Sequence, residues 1–383
     1  MKVIVRGPLL SKSGYGEHTR QVFKWAISRG HDVRCQILNW GITPWFLDRN
    51  DLDGLVGQIM DNSTPFEEMA DLSLQVQLPN EWDPTLAKIN VGITAGIETD
   101  KCNPEWKIAC NKMTHVIVPS KFASDSLTLG GGVTTKISVV PEAYNVEIDR
   151  DISALELPEI NTSFNFLLFG QITGIDLDSD RKNIFHTVKW FCEEFANDKN
   201  VGLIIKSNLG TNCIFHRKQL VSIFQKLLSE VRKGEFPKIY LLNGDMSAKE
   251  VAGLMKSHKI KSMVSFTRGE GYGLPLIDAA ASGLPILATN WSGHLEFLSK
   301  GHFSKVEYDL VPVSDKKIDG AIFVQGARWA QVRESDAKKR MRKTVESYTK
   351  PKEWANELAN VIREKYSIEA ICDLYDQVIG SLT

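Results

Sequence analysis

Short apolar runs alternate with longer amphipathic stretches twice over in this chain, and that pattern narrows its possible folds more than any other feature. In the first half the runs are Lys2–Arg6, Asp32–Leu38, Leu72–Leu78, Ile89–Thr94, His115–Val118 and Ile137–Val140. In the second half they are Phe164–Phe169, Val201–Lys206, Lys238–Leu242, Met263–Phe266 and Pro285–Ala288. Such alternation predicts repeated β-α units, and therefore parallel sheets. Gly16–Arg29 places Val22, Phe23, Ala26 and Ile27 at helical spacing and reads as the first helix. The periodicity lapses over the polar, acidic stretch Asp149–Ser163, which contains Pro158 and reads as an interdomain linker. The predicted domains are 1–155 and 156–365. The tail from Lys352 to Leu382 reads as helical, with a break near Tyr366–Ser367.

Composition removes several classes. With 383 residues, 43% hydrophobic and 24% charged, the chain has globular composition and room for about two or three domains. Its formal net charge is -1, and residues 1–150 hold 15 basic against 18 acidic residues. No global basic field is available to hold nucleic acid, although a local patch is compatible with this balance. Asp51–Asp83 holds eight acidic and no basic residues and reads as an exposed face. Six scattered cysteines without a CxxC pair fit a reduced, cytoplasmic protein better than a zinc or disulfide site. No apolar run is long enough for a secretory leader or a membrane span.

The strongest local signal is FTRGEGYGLPLIDAAASG, Phe266–Gly283. A strand ends near Phe266, Glu270 follows in a loop with Gly269, Gly271 and Gly273, and a small-residue helix begins near Leu274. Glycines let a ligand approach the backbone, and the helix start presents N–H groups to an anion. Asp278, eight residues beyond Glu270, lies about two helical turns on. A glycine-rich turn with a surface Glu explains the spacing alone equally well. Arg181 and Lys182 are basic at a predicted helix start, where acidic residues are the rule.

The order of residues adds a resemblance. GEGYGLPLIDAAASGLPILAT resembles the E-x7-E segment of glycosyltransferase family 4, retaining enzymes of the GT-B fold. Ser13-Gly14-Tyr15-Gly16 resembles the family's glycine-rich donor loop. Gly170–Asn183 and Trp106–Leu127 resemble two further family segments in the correct order. The opening, RGPLLSKSGYGEHTRQVFKW, resembles members encoded by T-even-like bacteriophages.

This resemblance implies an α/β GT-B fold, two Rossmann-like domains facing across a cleft, with 366–383 forming a helix that returns to the first domain. It implies transfer of a hexosyl or pentosyl group from a nucleotide-sugar, with UDP the expected nucleotide and GDP or ADP open. Glu270 would bond the transferred sugar, and the backbone of Gly271, Tyr272, Gly273 and Leu274 would face sugar and diphosphate. Asp278, where the family usually has Glu, would reach the ribose. Lys182, Arg181 and Lys206 would neutralise the diphosphate, and Gly14 and Gly16 would let it approach the first domain. His18, Glu98 and Asp100 are acceptor-side candidates, with Glu98 also a transition-state contact. The acceptor implied by the phage relatives is a hydroxymethylated DNA base; a cell-envelope glycan or small molecule stays open.

Competing motifs fail. GYGEHT lacks the third glycine of a dinucleotide fingerprint, and no GxxxxGK[ST] exists. Asp176, Asp178 and Asp180 alternate like a calcium loop, but Arg181 and Thr187 occupy its glycine and glutamate positions. The basic run Lys338–Lys343 reads as a solvated helix face that could meet a phosphate. The expectation is an enzyme needing neither metal nor cofactor. A GT-B sugar-nucleotide epimerase and a non-catalytic binding module remain alternatives.

Overall fold

The computed structural model describes residues 1–382 and divides into two compact units. Unit 1 comprises Met1–Ala143, Gly320–Val324 and the segment from Ile368 on. Unit 2 comprises Tyr144–Asp319 and Gln325–Ser367.

In unit 1 the elements are β1 (Lys2–Gly7), α1 (Gly14–Ser28), β2 (Asp32–Ile37), α2 (Leu55–Asp61), β3 (Ala70–Val76), β4 (Ala87–Ile93), α3 (Pro104–Cys110), β5 (His115–Val118), α4 (Lys121–Thr128) and β6 (Ile137–Val139). The strands form one parallel sheet in the order β2-β1-β3-β4-β5-β6. Helices pack on both faces of a parallel sheet, so its central strands are apolar on both sides; Val3, Val5, Leu72, Leu74 and Val91 are wholly buried. Helix α1 starts where the Ser13 hydroxyl accepts from the Gly16 N–H.

Unit 2 contains β7 (Phe164–Phe169), α5 (Ile184–Glu194), β8 (Val201–Lys206), α6 (Ile214–Val231), β9 (Lys238–Leu242), α7 (Ala248–Met255), β10 (Ser262–Ser265), α8 (Leu274–Ala281), β11 (Ile286–Thr289), α9 (Leu295–Leu298), β12 (Ser304–Val306), β13 (Tyr308–Pro312), β14 (Arg328–Val332), α10 (Glu334–Glu346) and α11 (Thr349–Lys365). A second parallel sheet runs β12-β11-β10-β7-β8-β9, and β13 and β14 form a separate antiparallel pair. Its core is aromatic: Phe166, Phe191, Phe195, Trp190 and Phe266 pack in one cluster. Burying each such side chain contributes roughly 1.5–3 kcal/mol.

The last helix, α12 (Ile368–Gly380), belongs to unit 1. It docks on α1: Tyr375 lies beside Trp25 with ring centroids 5.7 Å apart, and the Trp25 indole N–H donates to Asp376 at 2.8 Å. The Arg29 guanidinium donates to the same carboxylate.

The expected linker Asp149–Ser163 is not one. Leu157 and Ile160 are buried, the Leu155 N–H donates to the Gly253 carbonyl, and the Ser257 hydroxyl donates to the Leu155 carbonyl. The stretch lacks periodicity because it is laid along α7 as extended chain, satisfying its backbone there. The units part at Ala143/Tyr144 rather than near 155.

Candidate functional site

In a parallel α/β sheet, loops leaving the carboxyl ends of adjacent strands converge, and ligands collect there. Strands β7 and β10 are neighbours in unit 2. Their loops bring Arg181 and Lys182 against Glu270. The Lys182 ammonium donates to both carboxylate oxygens of Glu270, at 2.7 and 2.8 Å. An Arg181 guanidinium nitrogen lies 3.3 Å from the same group. Glu270 is only 6% exposed. Burial alone would push its carboxyl up, but the two cations and the hydrogen bonds from Lys182 and Thr267 hold it down at about 2. It is therefore an ionised carboxylate inside a cationic clamp.

The clamp is supported from behind. Asp180 accepts from the Thr173 N–H and hydroxyl and from the Ile184 N–H, which fixes the loop and caps α5. Asn183, at φ +56, donates its amide to the Phe266 carbonyl and so ties the two loops. The Arg181 guanidinium donates to the Gly269 carbonyl at 2.6 Å. The loop after β11 completes the frame: Ser292 accepts from the Glu270 N–H at 3.0 Å, and the Gly293 N–H donates to the Glu270 carbonyl at 2.8 Å. A side chain on Gly293 would collide with the Gly271 carbonyl, so only glycine fits. His294, wholly buried, has its Nε2 2.7 Å from the Thr289 carbonyl.

Gly273 has φ +108 and precedes α8, so the positive helix end is turned toward this loop. The Tyr272 ring packs edge-on to Phe297; Tyr272 and Gly271 are buried, while Gly273 and Leu274 are half-buried. Lys206, at the end of β8, is tied to the Gly244 carbonyl (2.7 Å) and Asn208 (3.1 Å), and burial lowers its pKa. Asp278 accepts the Asn145 N–H at 2.8 Å, so the shorter side chain already serves the local backbone.

In unit 1 the expected residues scatter. Gly14 is exposed at the start of α1, and Glu98 and Asp100 are half-buried in the loop beyond β4. Two expectations are corrected. Gly16 is buried, and its missing side chain is required by the Ser11 carbonyl behind it, so its smallness serves packing. His18 points inward: its Nε2 lies 3.3 Å from the Tyr375 hydroxyl and its Nδ1 3.7 Å from Glu142. Burial pushes its pKa down to about 4. The acceptor-side role expected of His18 does not fit this placement, because the docking of α12 over α1 that turns the ring inward is invisible in the local sequence.

Sequence reasoning also missed Asp180, Asn183, Ser292 and Arg268. The Arg268 guanidinium lies over the Trp329 ring at 4.9 Å and donates to the Leu177 and Asp178 carbonyls. Ser292-Gly293-His294, directly after a strand, was the signal available for the supporting loop. Among the described residues, no group of three or more His, Cys, Asp or Glu is placed to hold a metal ion.

Two six-stranded parallel sheets, each with its helices, define an α/β enzyme fold of the GT-B type, as in known glycosyltransferase structures. Residues 136–373 match the family described as Family 4 Glycosyltransferase in conflict systems, and the chain belongs to that family. It is a glycosyltransferase. Comparison with curated proteins finds no match.

Among solved structures, the chain is similar to the pneumococcal O-GlcNAc transferase GtfA in complex with UDP and GlcNAc, at 13% identity and TM-score 0.51, over 81% of this chain and 56% of that one. The chain thus spans little more than half the length of that protein. It is also similar to sucrose-phosphate synthase from Thermosynechococcus elongatus, at 12% identity and TM-score 0.64, over 100% and 99% of the two chains. Anabaena HepE in complex with UDP and glucose matches at 12% identity and TM-score 0.60, over all of both chains. No helix among the described residues is long and apolar enough to cross a membrane.

Proposed function

We propose that unit 2 binds a UDP-sugar and that the protein transfers the sugar, with retention, to an acceptor hydroxyl. The observation that carries this is the buried Lys182–Arg181–Glu270 clamp beside the start of α8. Breaking the bond between the anomeric carbon and the diphosphate leaves negative charge on phosphate oxygens. Fixed cations and a helix start stabilise such charge where it develops. An ammonium has three N–H donors, and the two drawn to Glu270 leave one for a phosphate oxygen. Glu270, held ionised, accepts from sugar hydroxyls, and the backbone from Gly271 to Leu274 lies along the leaving group. Lys206 is a second cation for the diphosphate, and Asp278 addresses the ribose. The new C–O bond forms on the face that UDP leaves, and the acceptor proton passes to the departing phosphate. Glu98 and Asp100 are assigned to the acceptor side in unit 1, and Gly14 to donor approach.

Because lysine, arginine and a helix start supply the positive charge, we read the reaction as independent of metal. Turnover should survive EDTA. The UDP complexes of GtfA and HepE support the choice of nucleotide. Six cysteines without a disulfide suit a reducing cytoplasm.

A hydroxymethylated DNA base is a second acceptor reading, favoured by the family's description as part of conflict systems. Such a base would be flipped from its stack to be reached. The test incubates the purified protein with UDP-sugars and acceptors and follows products by mass spectrometry. Release of UDP with a glycosylated product is expected. An epimerised donor without transfer identifies an epimerase, and an untouched donor identifies a binding module; either outcome overturns the proposal. Steep loss of activity with salt on DNA would support the base acceptor.

A further inference from the structure

Arg268 lies two residues before Glu270 and is 2% exposed, yet it is not a member of the cationic clamp. Among the described residues no carboxylate lies at ion-pair distance from its guanidinium, and its Nε–H has no hydrogen-bond partner. Burying a guanidinium without a contacting counterion is costly. Arg20 in unit 1 shows the usual remedy. It too is buried, lies over an aromatic ring (Phe46, 5.0 Å) and donates to two loop carbonyls, those of Leu9 and Ser11. Its other terminal nitrogen, however, reaches the Glu17 carboxylate at 2.9 Å. The partners of Arg268 are all neutral, and they lie around the loop that carries Arg181 and Lys182.

Together these partners form a clip. One terminal nitrogen donates to the Leu177 carbonyl at 2.9 Å, the other donates to the Asp178 carbonyl, and the guanidinium carbon sits 4.9 Å from the Trp329 ring centre. The Arg268 backbone N–H donates to the Arg181 carbonyl at 2.8 Å, and its own carbonyl accepts the Ala330 N–H at 2.9 Å. One residue thus grips the loop at 177–178 through its side chain and at 181 through its main chain. It is fastened in turn to β14 through the Trp329 ring and the Ala330 N–H.

Other ties on this stretch are local or solvated. The Ser179 N–H donates to Asp176 and the Asp176 N–H to the Ser179 hydroxyl, which closes the turn on itself. Lys316 reaches Asp176 from solvent, its side chain 61% exposed. Leu177 and Asp178 are exposed residues, so water could take their carbonyls at little cost if the guanidinium let go. Arg268 is therefore not needed to satisfy those carbonyls; it decides where they sit. Arg181 and Lys182 follow within a few residues, so a shift at 177–178 passes directly to the two cations. Displacing a charged group by roughly 1 Å is enough to spoil contacts that must be made at both ends.

We infer that Arg268 is a positioning residue, which clips loop 177–181 to the end of β10 and to β14 so that Lys182 and Arg181 meet Glu270 and the diphosphate together. It acts through those two cations. The inference rests on the reading of the clamp as the donor site and names a residue that reading does not use. Arginine is required for its shape more than for its charge: a planar fork spans two carbonyls while lying over an indole, whereas an ammonium is a point donor that cannot do both.

Calorimetric titration of the full-length protein with UDP, paired with hydrogen exchange, tests this. Arg268→Met removes the charge and keeps the bulk, and apolar replacement of a buried ion commonly leaves a fold as stable as before. UDP affinity should fall about tenfold in Arg268→Met and as far in Arg268→Lys. Exchange should quicken at residues 174–182 and stay slow in β7, α5 and β10. In a Lys182→Ala background, Arg268→Met should cost no more than about a further threefold, because the clip works through the clamp. Should Arg268→Met fail to fold by circular dichroism, Arg268→Gln takes its place. Recovery of UDP affinity in Arg268→Lys, a full tenfold loss again in the Lys182→Ala background, or unchanged exchange at 174–182 would each overturn the inference. Normal UDP affinity in Arg268→Met where Lys182→Ala has lost it overturns the inference alone. Normal affinity in Lys182→Ala, or no UDP binding by the unsubstituted protein, overturns the donor-site reading and the inference with it.

Discussion

Each unit carries a six-stranded parallel sheet, in a different strand order, and the two bury their ionisable groups in opposite ways. In unit 2, Glu270 is buried with two cations in contact and stays ionised. In unit 1, His18 and Glu142 are buried 3.7 Å apart, and burial drives His18 down to about 4 and Glu142 well above the usual carboxylate range. Burial thus favours the neutral form of both partners. Desolvation penalises every buried charge, and only counterions supplied at contact distance overcome it. Two parallel sheets thereby present different chemistry: fixed charge suited to a diphosphate in one, and a buried pair driven toward neutrality in the other.

The largest expected effect attacks that contrast at the clamp. Glu270→Ala and Lys182→Ala should each reduce turnover about a hundredfold or more, measured as UDP released from UDP-sugar. Melting curves of both variants separate loss of the site from loss of the fold, since removing one member of a buried ion pair strands the other. Glu98→Ala, in unit 1, should lower the transfer rate and leave UDP affinity unchanged. Near-normal turnover in both clamp variants, or lost UDP affinity in Glu98→Ala, would erase the division of labour.

Acid should affect the two units in different windows. Glu270, depressed to about 2 from an unfolded value near 4.5, contributes about 3 kcal/mol that is present above pH ~4.5 and lost as pH falls toward 2. His18 behaves otherwise. Between pH 6.5 and 4 the unfolded chain binds a proton that the folded chain refuses, so its contribution is lost as pH falls through that range. Glu142, raised by burial and by the nearby Glu17, opposes it: its contribution is full below pH ~4.5 and lost as pH rises. Substituting one partner should unmask the other. Glu142→Gln should leave stability falling from pH 6.5 to 4, and His18→Gln should leave it falling as pH rises above 4.5. Melting temperatures across pH 4–8 with the same slope in both variants would contradict the neutral pair.

Much of this was legible in the sequence because strand runs and glycine-rich turns are local signals. Eleven apolar runs correspond to β1 through β11, and the loop around Glu270 stood out by its glycines. Strand β12, three residues at a sheet edge, and the β13–β14 pair, with Asp309 and Arg328 exposed, were too short or too polar to register. Long-range facts were hidden for a different reason. That His18 faces Tyr375, 357 residues away, depends on where α12 lands.

The smallest expected effect comes from an ion pair that resembles the clamp only on paper. Lys316 donates to Asp176 at 2.6 Å, as short as the Lys182–Glu270 contact, and Asp176 is held well below the usual carboxylate range chiefly by that bond. Both partners are solvated, with side-chain exposures of 61% and 32%. Water screens their attraction, and ordering a long lysine side chain offsets much of the remainder. Lys316→Ala should therefore move the melting temperature by no more than about 2 °C, and raising salt in the unsubstituted protein should reproduce most of that shift. Calorimetry at low and high salt checks both. A larger drop would mean that the loop carrying Asp176 is anchored through Lys316, and that exposure is a poorer guide to the worth of a pair than the contrast between Glu270 and Asp176 implies.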